Sequence, residues 1–186
     1  MSYVAPVWRC GFVHVCGGLA LLAAGMALVV LGGSGPARGG SDMQLTGPGV
    51  GAAGLRQPIS MSDLTSSFTL DGLPNTTQTR IGVVTMRVWT PNHTGYRVTV
   101  QADASILAPV APGNPDAIAV ARLQVRETGT TTFTPLSSTS AVTAHSQATM
   151  TGPPPGDAIS NDYRVQIPLV RPGMYRVTLT YTAMTN

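Results

Sequence analysis

Two of the three histidines of this 186-residue chain, those that lie after residue 37, and a scattered set of carboxylates are the groups that could do acid–base chemistry. His93 lies in a Pro-Asn-His-Thr-Gly turn, and His145 lies on a segment rich in Thr and Ser. Nucleophilic catalysis needs a nucleophile beside a base that a third group orients. Neither histidine lies in a Gly-x-Ser-x-Gly elbow. We therefore predict that both are solvated polar residues and that the chain has no catalytic residue.

The carboxylates are spaced like turn residues. Paired carboxylates would suit glycoside hydrolysis, and an Asp-x-Asp spacing would suit calcium. That spacing does not occur, and most of the acids fall in turn-rich stretches, where Asp caps or turns the backbone. We predict no metal site and no cofactor, and a hydrolase is the least favoured class of function. The eight acids are Asp42, Asp63, Asp71, Asp103, Asp116, Glu127, Asp157 and Asp162.

One group of aromatic and polar residues is a candidate ligand-binding patch. Trp89 shares strand parity with Arg87, opposite to Val88, and therefore faces outward beside the turn that ends at Tyr96. An exposed indole there, near Asn92, would stack on a sugar ring or a partner. The other interpretation places Trp89 over the end of the core, since large aromatic residues are mostly buried. The candidate patch is Trp89, Asn92 and Tyr96.

The N-terminal segment has the composition of an export signal. Residues 10–37 contain no Asp, Glu, Lys or Arg, and residues 19–31 are apolar almost throughout. The small residues Gly35 and Ala37 predict cleavage after Ala37. The alternative is an uncleaved anchor over residues 11–31, because about 20 apolar residues span a bilayer as a helix. Either interpretation places the protein outside the cytoplasmic membrane.

The composition excludes some kinds of site and indicates the type of source organism. Cys10 and Cys16 lie in the predicted leader, so a cleaved chain has no disulfide and no thiolate metal site. All eleven basic residues are Arg, which is typical of a GC-rich bacterial genome. The net charge of +3 is spread along the chain, so nucleic acid is not an expected partner.

After the leader, the chain divides into a linker and a β-rich domain. Residues 38–62 are rich in Gly, Ser and Pro and predict a flexible linker. In residues 63–186, apolar and polar residues alternate at the period of half-buried strands. The turn at residues 91–95 predicts a hairpin, and Arg171-Pro-Gly-Met174 predicts a type II turn with Gly173 at the positive-φ position. Strands are predicted at 67–70, 80–90, 96–101, 118–127, 163–169 and 175–183, with weaker edge strands at 130–135 and 141–149.

This pattern predicts an all-β fold with no helix after the leader. The fold class is an antiparallel β-sandwich of Greek-key or immunoglobulin-like type, with seven or eight strands. It follows an N-terminal signal or anchor helix, residues 1–37, and the linker, residues 38–62. A closed barrel is the alternative.

Two segments resemble a known class of surface protein. They are residues 88–100 (VWTPNHTGYRVTV) and 162–183 (DYRVQIPLVRPGMYRVTLTYTA). Both resemble exported β-rich cell-surface proteins of Gram-positive bacteria, including WxL-like domains, whose final strand reads Tyr-x-x-x-Leu-x-Trp-x-Leu. Tyr175 and Leu179 fit that motif, whereas Tyr181 and Ala183 stand where its Trp and second Leu would be. The resemblance implies a β-sandwich at the cell surface.

Together these features predict an exported, non-enzymatic protein of the cell envelope or the medium, with a structural, adhesive or surface-association role. The alternative is a carbohydrate- or ligand-binding module that uses the patch near Trp89. Expected partners are a cell-wall polymer or another surface protein. A membrane is a partner only through residues 11–31, if the leader is uncleaved.

Overall fold

The computed structural model describes residues 58–186 with their side chains and the backbone of Trp8–Gly17. The described part has twelve strands in two sheets and one short 3-10 turn, Val120–Arg122. The predicted cleavage site at Ala37 and most of the predicted linker lie outside the described residues. A second unit of the chain, residues 20–55, lies outside them as well. No helix in the described part is long and apolar enough to cross a membrane.

The first sheet, sheet A, has the strand order β10-β5-β12-β1-β3, with β6 beside β12 and β7 beside β6. All of its pairings are antiparallel except that of β1 with β3, which is parallel. Its strands are β1 (Trp8–Gly17), β3 (Phe68–Asp71), β5 (Tyr96–Ala102), β6 (Ile106–Pro109), β7 (Ile118–Ala119), β10 (Val142–Gln147) and β12 (Gly173–Thr185).

The second sheet, sheet B, has the order β2-β4-β11-β8-β9 and is antiparallel throughout. Its centre is the long pair of β4 and β11, which holds a bulge between Asn161 and Tyr163. Its strands are β2 (Ser60–Ser62), β4 (Thr77–Trp89), β8 (Leu123–Glu127), β9 (Thr134–Pro135) and β11 (Asp157–Gln166).

One hydrophobic core lies between the inner faces of the two sheets. Both sheets contribute to it: the rings of Phe68 on β3 and Tyr163 on β11 have centroids 4.7 Å apart. Each fully buried aliphatic side chain stabilises such a core by about 1.5–3 kcal/mol relative to exposure. The fold is therefore all-β and sandwich-like, with two sheets around a shared interior.

The predicted alternation of inward and outward residues is confirmed in the main strands. Thr130–Pro135 and Ala141–Thr149 were predicted as edge segments, and β9 and β10 are the outermost strands of sheets B and A. Strict alternation locates a buried face reliably because successive strand side chains point to opposite faces. The buried residues that were predicted to face inward are Val84, Met86, Val88, Tyr96, Val98, Val100, Tyr163, Val165, Ile167, Tyr175, Val177, Leu179, Tyr181 and Ala183.

The predicted hairpin across residues 91–95 is wrong. β4 pairs with β2 and β11 in sheet B, whereas β5 pairs with β10 and β12 in sheet A. The same holds for β11 and β12, which lie in different sheets although residues 171–174 join them closely. A turn between two alternating strands looks the same in a hairpin and at a corner between sheets, since both place apolar residues on one face.

Several local predictions also differ from the structure. Gly173 is not among the positive-φ glycines, so the predicted type II geometry is wrong. Leu169, predicted to face inward, is 79 % exposed because β11 ends at Gln166. The predicted strand 118–127 is interrupted by the turn Val120–Arg122, which leaves Ala121 exposed.

Two strands begin earlier than the predicted domain. β2 lies inside the predicted linker, where buried Met61 packs into the core beside the pairing of β2 with β4. β1 lies inside the predicted leader, where a signal or anchor helix was expected. The described part thus has twelve strands, more than the seven or eight predicted, because strands as short as two residues complete the sheets.

Candidate functional site

A histidine–carboxylate pair joins the two sheets at one side of the sandwich. His145 lies on β10, the edge strand of sheet A, and Glu127 ends β8 in sheet B. His145 Nδ1 and Glu127 Oε1 are 2.8 Å apart, and the imidazole is 12 % exposed. A carboxylate only accepts hydrogen bonds, so Nδ1 carries the proton in this pair. The register shift between Thr143 and His145 brings Ala144 into the core and directs the ring toward sheet B.

This pair has two of the three parts of a nucleophilic site. In a catalytic triad the carboxylate holds the Nδ1 proton, and Nε2 accepts the proton of the nucleophile. His145 Nε2 is buried and has no hydrogen-bond partner among the described residues. The described part therefore supplies a base and its orienting group, with no hydroxyl at the position where a nucleophile would lie.

A shallow groove of about 240 Å³ runs over the His145–Glu127 pair. Half of its lining residues carry hydroxyl groups, and Arg126 and Glu127 also line it, so it offers hydrogen-bond donors and acceptors beside one cation and one carboxylate. In the part of the chain that the structure describes, no three His, Cys, Asp or Glu side chains come together as metal ligands. The hydroxyl-bearing lining residues are Thr130, Thr132, Thr134, Thr143 and Ser146.

The predicted patch residue Tyr96 lies next to this pair and is fully buried. Its ring centroid is 5.4 Å from that of His145, and its hydroxyl donates to Asp157 Oδ2 at 3.4 Å. Burial and the nearby negative charge of Asp157 raise the pKa of Tyr96, so the phenol stays a neutral donor. Asp157 also accepts from Gln147 Nε2 at 3.0 Å and from the Gly152 N–H at 3.1 Å, which is the turn role predicted for the acids.

Asp162 forms a second polar cluster inside sheet B. It is 0 % exposed, and its carboxylate accepts hydrogen bonds from the Gly82 N–H at 2.8 Å, the Thr128 hydroxyl at 2.6 Å and Arg126 Nε at 2.8 Å. Burial alone would raise the pKa of Asp162. The hydrogen bonds from Thr128 and Gly82 and the charge of Arg126 outweigh burial and hold that pKa below its usual value. Asp162 is thus an ionised carboxylate that joins β4, β8 and β11.

A third set of buried polar groups connects the sheets through the core. Asn161, fully buried on β11, donates to the Ala144 carbonyl at 2.8 Å. Tyr181 on β12 donates to Asn161 Oδ1 at 3.4 Å, and the hydroxyls of Tyr163 and Tyr181 are 2.6 Å apart. Buried polar groups that satisfy one another define a single arrangement of the surrounding strands.

The outer face of sheet B carries an aromatic ring between two cations. The Arg126 guanidinium lies 4.5 Å from the Phe133 ring centroid, and the Arg164 guanidinium lies 4.2 Å from it. Arg164 Nε also donates to Gln124 Oε1 at 2.9 Å. Cation–π contacts of this kind stabilise a half-buried ring by about 0.5–1 kcal/mol each. They attach the segment that leads to β9 to the face of the sheet.

The structure does not bring the three predicted patch residues together on one surface. Trp89 is half-buried at the end of β4, and Asn92 lies in the following turn. The Asn92 amide donates to Thr94 Oγ1 and to the Gly95 carbonyl, both at 2.8 Å, so it stabilises the turn. Tyr96 is in the core. A surface patch in this region therefore has Trp89 as its aromatic member and excludes Tyr96.

Replacing Trp89 tests whether this smaller patch binds sugars. If the indole stacks on a glycan, Trp89→Ala should abolish binding on a glycan array while the melting temperature falls by only a few degrees, since the ring is half-buried. Leu169→Ala, at the opposite end of the sandwich and 79 % exposed, is the control. If the wild-type chain bound no glycan and Trp89→Ala had a much lower melting temperature, Trp89 would only shield the end of the core from solvent.

Sequence reasoning missed both the His145–Glu127 pair and the Asp162 cluster. His145 lies on β10 in sheet A and Glu127 ends β8 in sheet B, and no local pattern relates them. For Asp162 a signal existed: Asn161 and Asp162 are adjacent polar residues in an otherwise apolar-alternating strand. Two polar residues in succession, both buried, mark the bulge of β11.

The polar clusters and the region near Trp89 are the candidate sites of the described part. His93 is exposed in its turn, as predicted. Comparison with protein-family models, with curated proteins and with solved structures found no match to this chain, so its function is inferred from its own residues.

Proposed function

We propose that this chain is an exported, non-enzymatic β-sandwich protein that works at the cell envelope or in the medium, with a structural, adhesive or surface-association role. Its charged and polar interior groups join strands to one another. Asp162 joins three strands, Asn161 joins the two sheets, and the His145–Glu127 pair joins β10 of sheet A to β8 of sheet B. This use of titratable groups for cohesion is the observation that carries the proposal.

The proposed topology is of Greek-key or immunoglobulin-like type. Its support is the repeated change of sheet along the chain, at residues 91–95 between β4 and β5 and again between β11 and β12. Such corners are how sandwiches place sequence neighbours in opposite sheets. The edge strand β9 has two residues, so it presents little free backbone for pairing with another protein.

The extracytoplasmic location is supported by the predicted leader, residues 1–37, and by the low charge of the chain. Charged residues are 10 % of the sequence, and Thr occupies many outward positions of β12, as at Thr178, Thr180 and Thr182. The resemblance to WxL-like surface domains favours a β-sandwich at the cell surface. The partner is then a wall polymer or another surface protein, and the source is a Gram-positive bacterium.

Fractionation of the native host tests this proposal. Medium, wall and membrane fractions are separated, and the N-terminal peptide of the protein is read by mass spectrometry in each. We expect a chain that begins at about residue 38 in the wall fraction. Recovery of the intact chain from the cytoplasm would overturn the proposed export. Recovery of the intact chain from the membrane would overturn cleavage and leave residues 11–31 as an anchor.

A further inference from the structure

The strand β1 belongs to the predicted leader and yet lies inside sheet A. It pairs antiparallel with β12 over eight residues and parallel with β3 over four. An ordinary leader has no place in the mature fold, because it is removed on export. Cleavage at Ala37 would therefore take one strand out of the middle of a sheet.

The register of β1 places its apolar residues opposite buried residues of β12. Opposite its apolar positions on β12 lie four buried residues, and the polar residues Arg9 and His14 lie opposite Thr180 and Arg176. The change of parity falls at the bulge between Cys10 and Val13. Directly paired residues of neighbouring strands share a face, so the register places these apolar residues at positions on the same face of sheet A as the buried residues of β12. The pairs are Trp8 with Tyr181, Cys10 with Leu179, Val13 with Val177 and Val15 with Tyr175.

β3 depends on β1 for its place in the sheet. Among the described residues, β1 is the strand with which β3 pairs, while the Phe68 and Leu70 side chains are buried in the core. Removal of β1 leaves β3 held by its side chains and leaves two facing rows of backbone N–H and C=O groups on β3 and β12. Such rows form a template for another strand.

We propose that the space that β1 fills between β3 and β12 in sheet A, here called the lane, is a strand-binding site. Once the leader is removed, it accepts an extended strand of about ten residues from a partner polypeptide, in the direction of β1 and with apolar residues at alternate positions. The main-chain hydrogen bonds provide the affinity, and the positions opposite Tyr181, Leu179, Val177 and Tyr175 provide the selectivity. This inference rests on the proposed export and deepens it by naming the kind of partner.

Chain length favours a strand from another molecule over the chain's own linker. β1 ends beside Asp71, and the next residue, Gly72, lies close to Gln78 near the start of β4. β2 begins opposite Trp89, at the other end of β4. The distance along β4 is about 36 Å at about 3.3 Å per residue. If ten of the residues between 38 and 59 filled the lane, about twelve would remain, and a flexible segment of that length spans about 19 Å on average.

A disulfide tests the register in the intact chain. Cys16 lies opposite Met174, which is 38 % exposed, so we expect Met174→Cys to form a disulfide with Cys16 under mild oxidation. Paired residues of antiparallel strands have Cα atoms within disulfide range. Met184→Cys, which lies on the same strand opposite Arg97 of β5, is the matched control. Equal disulfide yields in the two variants, read by peptide mass mapping, would overturn the assigned position of β1.

A nicked chain tests strand exchange. A protease recognition sequence is inserted between residues 18 and 37 of the full chain, the chain is cut, and a fluorescent peptide of residues 8–17 is added. We expect the cut leader to co-elute with the domain and the peptide to replace it at one per domain. A peptide with Val13→Asp and Val15→Asp should bind at least about tenfold more weakly, because its binding would bury two charges.

Two results would overturn the strand-binding site. One is a nicked domain that loses the leader, keeps its melting temperature and binds no peptide. The other is a nicked domain that unfolds and is not restored by the peptide. Restoration of a lost melting transition by the wild-type peptide supports the site. These outcomes are read on purified protein, so they stand apart from the host fractionation that tests export.

Discussion

Replacing Gly95 with alanine is expected to destabilise the domain by about 3 kcal/mol or more, because two costs add at this residue. Gly95 has φ +84°, a region that disfavours side chains by about 1–2 kcal/mol. A Cβ atom there would also meet the carbonyl oxygen of Gln147 on β10. That oxygen belongs to backbone and cannot rotate away, so the corner between β4 and β5 would have to open.

Gly129→Ala is the matched control for this prediction. Gly129 has φ +91°, yet a Cβ atom there would have no neighbour within 4 Å. Its replacement should cost only the conformational term, about 1–2 kcal/mol. Urea unfolding of both variants compares the two free energies. If the two variants lost the same stability, the close contact between Gly95 and β10 would be refuted.

The second large effect is expected for Asp162→Asn, with a loss of about 3 kcal/mol in the free energy of unfolding. The carboxylate is fully buried and accepts from three donors, one of them the cation Arg126. An amide of the same shape directs an N–H₂ group at those donors and leaves the guanidinium without its counter-charge. Chemical denaturation at neutral pH measures the loss.

The same residue sets a pH dependence. The pKa of Asp162 is lower in the folded chain than its usual value, so its stabilising contribution is present above the unfolded-state pKa of about 3.9. That contribution is lost as the pH falls through the folded-state pKa. The wild-type chain should therefore lose stability on acidification below about pH 4, and Asp162→Asn should lose less over the same range.

Asp63→Asn is the control for charge removal. Asp63 pairs with Arg87 at 3.6 Å, with the two side chains 70 % and 41 % exposed. An exposed pair of this kind contributes about 0–1 kcal/mol, and asparagine tolerates the positive φ of 53° at this position. A loss for Asp63→Asn as large as that for Asp162→Asn would show that burial of Asp162 has no special role.

The hairpin prediction shows where sequence reasoning stops. Val88 before the turn and Tyr96 after it are both buried, as the alternation predicted. Whether two such strands bond to each other or face each other across a core depends on which partners each one finds. β4 pairs with β11 and β5 pairs with β12, both far along the chain. No local residue pattern contains that information.

The candidate site shows the same limit of prediction from sequence. The turn roles of the acids were predictable, as at Asp157, because Asp accepts from backbone N–H groups in its own neighbourhood. The pairing of His145 with Glu127 was not predictable, since a hydrogen bond between two sheets depends on how the sheets pack against each other. Tyr96 was placed in a surface patch by its proximity to Asn92 in the chain, whereas its strand parity placed it in the core.

By itself, the sequence determined the β class, the inward faces of the strands, the weak edge strands and the apolar character of the N-terminal segment, because these depend on residue alternation and composition over a few neighbours. The tertiary structure alone decided which sheet each strand joins, the internal charge cluster at Asp162 and the place of Trp8–Gly17 between β3 and β12. Those features arise from contacts between residues many tens of positions apart, where the free energy of packing selects one pairing among several that the local pattern allows equally.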